Sequence, residues 1–357
     1  MPFFHLRGSY FWNHKVLPNR ETGYNILTTS GGGSKRIIEN IEYAYFSDDV
    51  WILINNDNSL CDITSTIMLI LNNQNSPNAE AGSQKLKTSF SESFRMSRSG
   101  LSQILSAFIS SEKNKLSIPT ETFLKEYTTL GQNQVIANLN YARGSGLIKR
   151  NGEITNFGYI VYDNDPSLSR IETQWLLHYF ISVEHELGPE FWGKTIANRF
   201  LIGNALNKKE IAEFIFSASI EAGEKQLAFG TYEVAATSLL GSYSANDGLV
   251  KLGILEGPEK NSYMVRTPQT IPTNAFACIL ADYWQANFPS SASIDEEQLT
   301  KSNLPKLLLL GVDGFNAKLA ELAAPQLGLV QRQRRFDPPQ ILRRWTDKEP
   351  LWTALYA

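Results

Sequence analysis

Apolar residues recur at helical spacing along most of the chain, interrupted by short alternating runs that read as strands. The stretch Gly131–Asp163 carries both patterns. Val135, Ile136, Leu139 and Ala142 lie on one side of a helix. Gly144 and Gly146 supply the flexible backbone at which helices end. Leu147-Ile148 then starts a strand, Asn151-Gly152 is a two-residue hairpin turn, and Ile154 and Phe157 begin the return. Upstream, Thr120 is placed to cap a helix with Phe123, Leu124 and Tyr127 on one side. Helix, turn, helix, hairpin is the order of a winged helix.

The rest of the chain is mostly helical. Phe94, Leu101, Ile104, Leu105 and Phe108 mark an amphipathic helix between Phe90 and Ile109. Ile171–His185 is apolar all round, as expected of a central packing helix. Phe191–Phe200 and Lys208–Ile220 follow, the second capped by Asn207 with Glu210 as its box partner. Phe229–Tyr243 turns Val234, Leu239 and Leu240 inward. Leu249–Leu255, a Gly-Pro turn and Ser262–Arg266 then form a second wing-like hairpin. Helices over Thr273–Ala286 (capped by Thr273), Ser293–Thr300 and Asn316–Ala323 complete the series.

The expected fold is mainly α with small β-hairpins (α+β), divided into five parts. Residues 1–71 form a small α/β unit, with Ser34–Tyr45 as a short helix and Val50–Ile54 and Ile63–Leu71 as strands. Residues 72–88 are a polar linker carrying Pro77 and Gly82. Residues 89–166 are a winged-helix-like unit, 167–330 a helical domain with the second hairpin, and 331–357 a basic segment.

Composition narrows the chemistry. The chain has 357 residues, 42% of them hydrophobic and 19% charged, so packed cores rather than global disorder are expected. A net charge of -3 excludes a surface coated in basic charge, so any phosphate contact must come from a local patch. Cys61 and Cys278 have neither metal nor disulfide spacing and read as thiols of a reducing compartment. The start, MPFFHLRGSYFW, lacks a signal pattern, and no apolar run reaches the roughly 20 residues of a membrane span. A cytoplasmic protein without a membrane partner is expected.

Catalytic signals are absent. His178 sits among aromatics and reads as a core side chain. His185, between Glu184 and Glu186, does not make a metal site by spacing alone. No Gly-x-Ser-x-Gly elbow occurs. Ser30–Arg36 is glycine-rich but lacks phosphate-loop spacing, and reads as a flexible loop. The expectation is a non-enzymatic protein needing no cofactor.

Recognition chemistry is better represented. A second helix of the kind at Gln132–Arg143 can enter a DNA major groove, presenting Gln132, Asn133, Gln134, Asn138 and Arg143. Gln and Asn pair bidentately with adenine edges and Arg with guanine. Lys149 and Arg150 in the wing can touch phosphates. Arg95 and Arg98 can serve DNA or pair with local acids such as Glu92. The most basic window runs from Gln331 to Lys348, where Arg332, Arg334, Arg335, Arg343, Arg344 and Lys348 alternate with Phe336 and Trp345. Arginines interleaved with aromatics suit nucleic acid, and equally an acidic protein.

From Phe90 onward the chain resembles a bacterial family defined by a domain without an assigned function. Its genes commonly lie beside those of phosphoadenylylsulfate-reductase-like proteins in phage-defence and DNA-modification islands. The resemblance rests on Ser91-Glu92-Ser93-Phe94-Arg95, Gly131–Val135, Gly146-Leu147-Ile148, Thr155-x-Phe157-Gly158, Asp165-Pro166, Glu172–His178 and Leu249-x-x-Leu252-Gly253-Ile254. It covers roughly residues 89–345. Gln132 stands where the family favours Lys, and Ser91 where it favours His. The resemblance implies a role in DNA modification or defence, with double-stranded DNA and other proteins of such a complex as partners. Two readings follow: a DNA-binding subunit or regulator, and a protein–protein adaptor that does not touch DNA.

Overall fold

The structure, a computed structural model, describes residues 86–357 except 260–261, together with the backbone of five strands nearer the N-terminus. The chain divides into two compact units, residues 1–82 and 83–357.

The first unit's strands are β1 (Lys15–Pro18), β2 (Tyr24–Thr28), β3 (Ser34–Ile38), β4 (Ile41–Phe46) and β5 (Asp49–Asn55). They form one antiparallel sheet in the order β1-β2-β5-β4-β3. The helix expected over Ser34–Tyr45 is therefore a hairpin, with Ile38 paired to Ile41. The reason lies in Ile41, Tyr43 and Tyr45, which alternate and are β-formers. The glycine run at 31–33 consequently leads into a strand rather than a helix N-terminus. Val50–Ile54 lies within β5, whereas Ile63–Leu71, Cys61 and the polar stretch 72–85 fall outside the described residues.

The larger unit is mainly helical with small antiparallel hairpins. Leu86 and Thr88 are already buried in it. The helices α1 (Arg98–Lys113), α2 (Glu121–Tyr127) and α3 (Gln132–Gly144) come first. Thr120 caps α2 by accepting from the Phe123 N–H. The first hairpin is minimal: Ile148 pairs with Ile154 in a single bridge around the Asn151-Gly152 turn. Phe157 does not continue the return strand. It opens α4 (Asn156–Asn164), because the Thr155 hydroxyl accepts from Gly158 N–H at 2.9 Å and starts a helix.

Asp165 closes the next connection. Its carboxylate accepts from Ser169 N–H at 3.0 Å, Arg170 N–H at 2.8 Å and the Thr173 hydroxyl at 2.6 Å. It is itself buried. Asp165→Ala leaves these donors unpaired and is expected to cost about 2–3 kcal/mol of stability, read from the urea midpoint.

The central helix is α5 (Ile171–Ser182), buried along almost its whole length, and α6 (Glu190–Arg199) packs on it. His178 of α5 is fully buried and both ring nitrogens are paired. The Trp192 indole donates to the Tyr243 hydroxyl at 2.9 Å, and that hydroxyl meets His178 Nδ1 at 2.7 Å. Nε2 then meets the Leu307 carbonyl at 2.8 Å, which makes it the protonated nitrogen. Burial pulls the ring pKa down to about 4. His178 is a neutral strut joining α5 to three other segments.

Two further parts of the unit have similar orders of elements, the second with one helix more than the first. In the first, α6 is followed by β6 (Ala205–Asn207), α7 (Lys208–Glu221), α8 (Phe229–Ser244), β7 (Leu255–Glu259) and β8 (Ser262–Val265). The Asn207 side chain accepts from Glu210 N–H at 2.9 Å, as expected. In the second, α9 (Thr273–Asn287) is followed by β9 (Ser293–Asp295), α10 (Glu296–Thr300), α11 (Leu304–Leu307), α12 (Gly311–Ala323), β10 (Val330–Gln333) and β11 (Gln340–Arg343). The sheets run β6-β8-β7 and β10-β11-β9, so each short first strand lies beside the last one. A final helix, α13 (Glu349–Thr353), carries Trp352 into the core against Phe157 and Phe180.

Candidate nucleic-acid interface

Only part of the expected recognition surface of α3 faces solvent. Gln132 and Asn133 are exposed at its N-terminal end. The Gln134 side chain turns back to accept from the Gly131 N–H at 3.0 Å, which caps the helix. Asn138 is buried, with Nδ2 donating to the Gln134 carbonyl at 2.8 Å. It faces α1 at Gly100, where a Cβ would lie 2.3 Å from Asn138 Oδ1. Asn138 therefore cannot read a base, which corrects the sequence reading. Arg143 is half-buried with its Nε out of contact with any acceptor among the described residues.

The first hairpin lies toward the other end of this helix. Gln132 and Gly144 are separated by about 18 Å at the helical rise of about 1.5 Å per residue. Gly144 is against Phe90 and Gly188. Lys87 donates to the neighbouring Leu187 carbonyl at 3.3 Å. Burial first, then the charge of Arg150, lowers the pKa of Lys87. Arg150 is exposed there, beside Lys149, whose ammonium pairs with Glu153 at 2.8 Å. The two groups assigned to the wing thus do not extend the surface of Gln132 and Asn133.

The basic window forms a more coherent feature. β10 and β11 pair from Val330↔Arg343 to Gln333↔Gln340, and the six residues between them make the loop. Arg334, Arg335 and Phe336 are exposed on that loop. Arg344 is exposed beside it and donates to Gln331 Oε1 at 3.0 Å, while Arg343 is half-exposed on β11. Arg332 is different. Its guanidinium is paired with Glu296 of α10 and donates to Asn316 Oδ1 of α12 at 2.9 Å. It braces the hairpin and is removed from the set of free cations. Arg98 is likewise engaged, donating to the carbonyls of Gly248 and Asn246 at 2.8 and 2.7 Å. Arg95 packs its aliphatic stem on Gly241.

The sequence reading missed a cluster next to this segment. His185 and Glu186 lie in the loop after α5, and Asp282 projects from α9. His185 Nε2 is 3.0 Å from Asp282 Oδ2, and the Tyr179 hydroxyl donates to the same oxygen at 3.0 Å. Lys348 approaches Asp282 Oδ1 at 3.8 Å. Burial, and then the negative charge of Asp282, push the Glu186 carboxyl up to about 7. A carboxyl raised in the folded state binds its proton more tightly there than in the unfolded chain. Its stabilising contribution is complete below about 4.5 and is lost as pH rises through about 7. His178, depressed to about 4, acts oppositely over much of the same range. The difference between wild type and Glu186→Gln isolates the first effect: the variant should be relatively more stable at pH 8 than at pH 5, measured by chemical denaturation.

No family model matches the chain, and no curated protein matches it. Two solved structures do. One is described as an SspB crystal structure and the other as a magnesium ion-bound SspB crystal structure. Each aligns with a TM-score of 0.59 at 14% identity, over 75% of this chain and 86% of its own. The likeness is one of fold. No helix among the described residues is long and apolar enough to cross a membrane.

Proposed function

We propose that this chain is a double-stranded DNA-binding subunit or regulator of a bacterial phage-defence or DNA-modification system, acting by binding rather than by catalysis. The observation that carries the reading is the β10–β11 loop, with Arg334, Arg335 and Phe336 exposed together on a hairpin braced by Arg332. Each of the two segments runs helix, strand, helices, strand, strand with the first strand beside the last, an order that resembles a winged helix. In this reading the β10–β11 loop is the wing that reaches the duplex backbone. Arginine supplies phosphate pairing and the aromatic ring a stacking face. Gln132 and Asn133 provide a second, uncharged contact. The family resemblance supports the defence or DNA-modification setting. The test is equilibrium binding of a fluorescent duplex to the full chain at low salt. Saturable binding supports the reading, and none at micromolar protein would overturn it.

A second reading, a protein adaptor in such a system, is favoured by a different surface. Ile220, Leu227, Phe229 and Val234 are exposed around α7 and α8, interleaved with Glu221, Glu224, Lys225 and Glu233. Val234 was expected to face inward; it is exposed instead and adds to the apolar surface open to a protein partner. Co-purification of a partner protein that survives nuclease treatment and is lost in Val234→Asp, with no binding to duplex DNA, would favour this reading over the first.

A further inference from the structure

The loop Val183–Pro189 and helix α9 bring together donors that neither the nucleic-acid surface nor the core uses. One ligand atom each from His185, Glu186 and Asp282 lie within 4.8 Å of one another. All three residues are half-buried, so the groups are preorganised yet reachable from solvent. Asp282 is held in place by the Tyr179 hydroxyl at 3.0 Å, and His185 by its ring packing on Tyr283. The Glu186 carboxylate has no hydrogen-bond partner among the described residues, although much of it is removed from water. A buried carboxylate without a donor needs a cation or a proton. The nearest fixed cation, Lys348, is 3.8 Å from Asp282 on its far oxygen, Oδ1, and leaves Oδ2 to the cluster.

We infer that His185, Glu186 and Asp282 form a binding site for one divalent transition-metal cation, with its remaining positions open to solvent. Ligands about 2.0–2.2 Å from a cation lie roughly 3–4 Å from one another, so small side-chain rotations close the set. The imidazole nitrogen favours zinc or nickel over calcium, whose ligands are oxygens. The bound ion would tie the loop after α5 to α9.

The test uses the full chain without an affinity tag, stripped with a chelator and titrated calorimetrically with zinc or nickel at pH 7.5. One equivalent is expected to bind, with a rise in melting temperature, because a ligand selective for the folded state stabilises it. Glu186→Gln is the decisive variant, since that carboxylate makes no hydrogen bond that folding depends on. It should keep the metal-free circular dichroism spectrum and lose affinity tenfold or more. His185→Ala should behave alike, and serves as a second variant independent of the carboxylates. Absence of one-to-one binding in the wild type overturns the site. So does binding that is unchanged in both variants. Calcium binding as tightly as zinc overturns the assigned cation class.

Discussion

Replacing Arg334, Arg335, Arg343 and Arg344 together by alanine is expected to weaken duplex binding by on the order of 100-fold at moderate salt, equally for unrelated sequences. The effect is uniform because phosphate contacts carry no base information. None of these four side chains makes an ion pair among the described residues, and Arg344 reaches only the neutral Gln331. Their loss should therefore leave the fold nearly unchanged, and the melting temperature of the variant checks this. Arg332→Ala forms the instructive contrast. It breaks the link to Glu296 and Asn316, so its effect on DNA should come with a lower melting temperature. Anisotropy titrations with two unrelated duplexes, run beside thermal melts, separate the two cases.

Gly193→Val is expected to produce the largest loss of stability, about 3 kcal/mol or more, and to abolish accumulation of folded protein at 37 °C. Gly193 lies in α6 where that helix meets the end of α5. A Cβ there would sit 2.0 Å from the Ser182 carbonyl oxygen. The obstacle is backbone, so no side-chain rotation relieves it, and the helices must separate. Separation would also pull Trp192 from Tyr243 and undo the polar chain that ends at His178. Urea denaturation, or the soluble fraction on expression, measures the outcome.

The sequence was most informative where local chemistry decides the structure. Thr120 and Asn207 cap their helices, and Asn151-Gly152 turns its hairpin, because one side chain or one backbone preference suffices. His178 was legible as a core residue because a helix apolar on every side has no solvent face for it. Errors arose where competing local signals had similar strength. Ser34–Tyr45 carries a plausible cap, yet β-branched and aromatic alternation made it a hairpin. Phe157 looked like a returning strand until the Thr155 cap drew it into a helix.

The candidate site was harder to read, for a geometric reason. Asn138 lies within the helix expected to meet DNA, but Gly100 lets α1 approach closely and cover it. Arg332 belongs to the basic window in sequence, while in space it is committed to Glu296, 36 positions away. The hairpin on which Arg334 and Arg335 stand was hidden because its charged strands lack an apolar alternation. His185 and Asp282 are 97 positions apart, and no spacing rule joins them. In each case a tertiary contact determines which side chains remain free for a ligand.

The measurement that bears most directly on the central claim is the salt dependence of duplex binding, for the wild type and the fourfold arginine variant side by side. Each phosphate contact contributes about 0.9 to the slope of log affinity against log salt. The wild type should fall steeply with salt, and the variant's slope should be shallower by two units or more. Equal slopes, or no duplex binding by the wild type at low salt, would contradict the assignment of this surface to DNA.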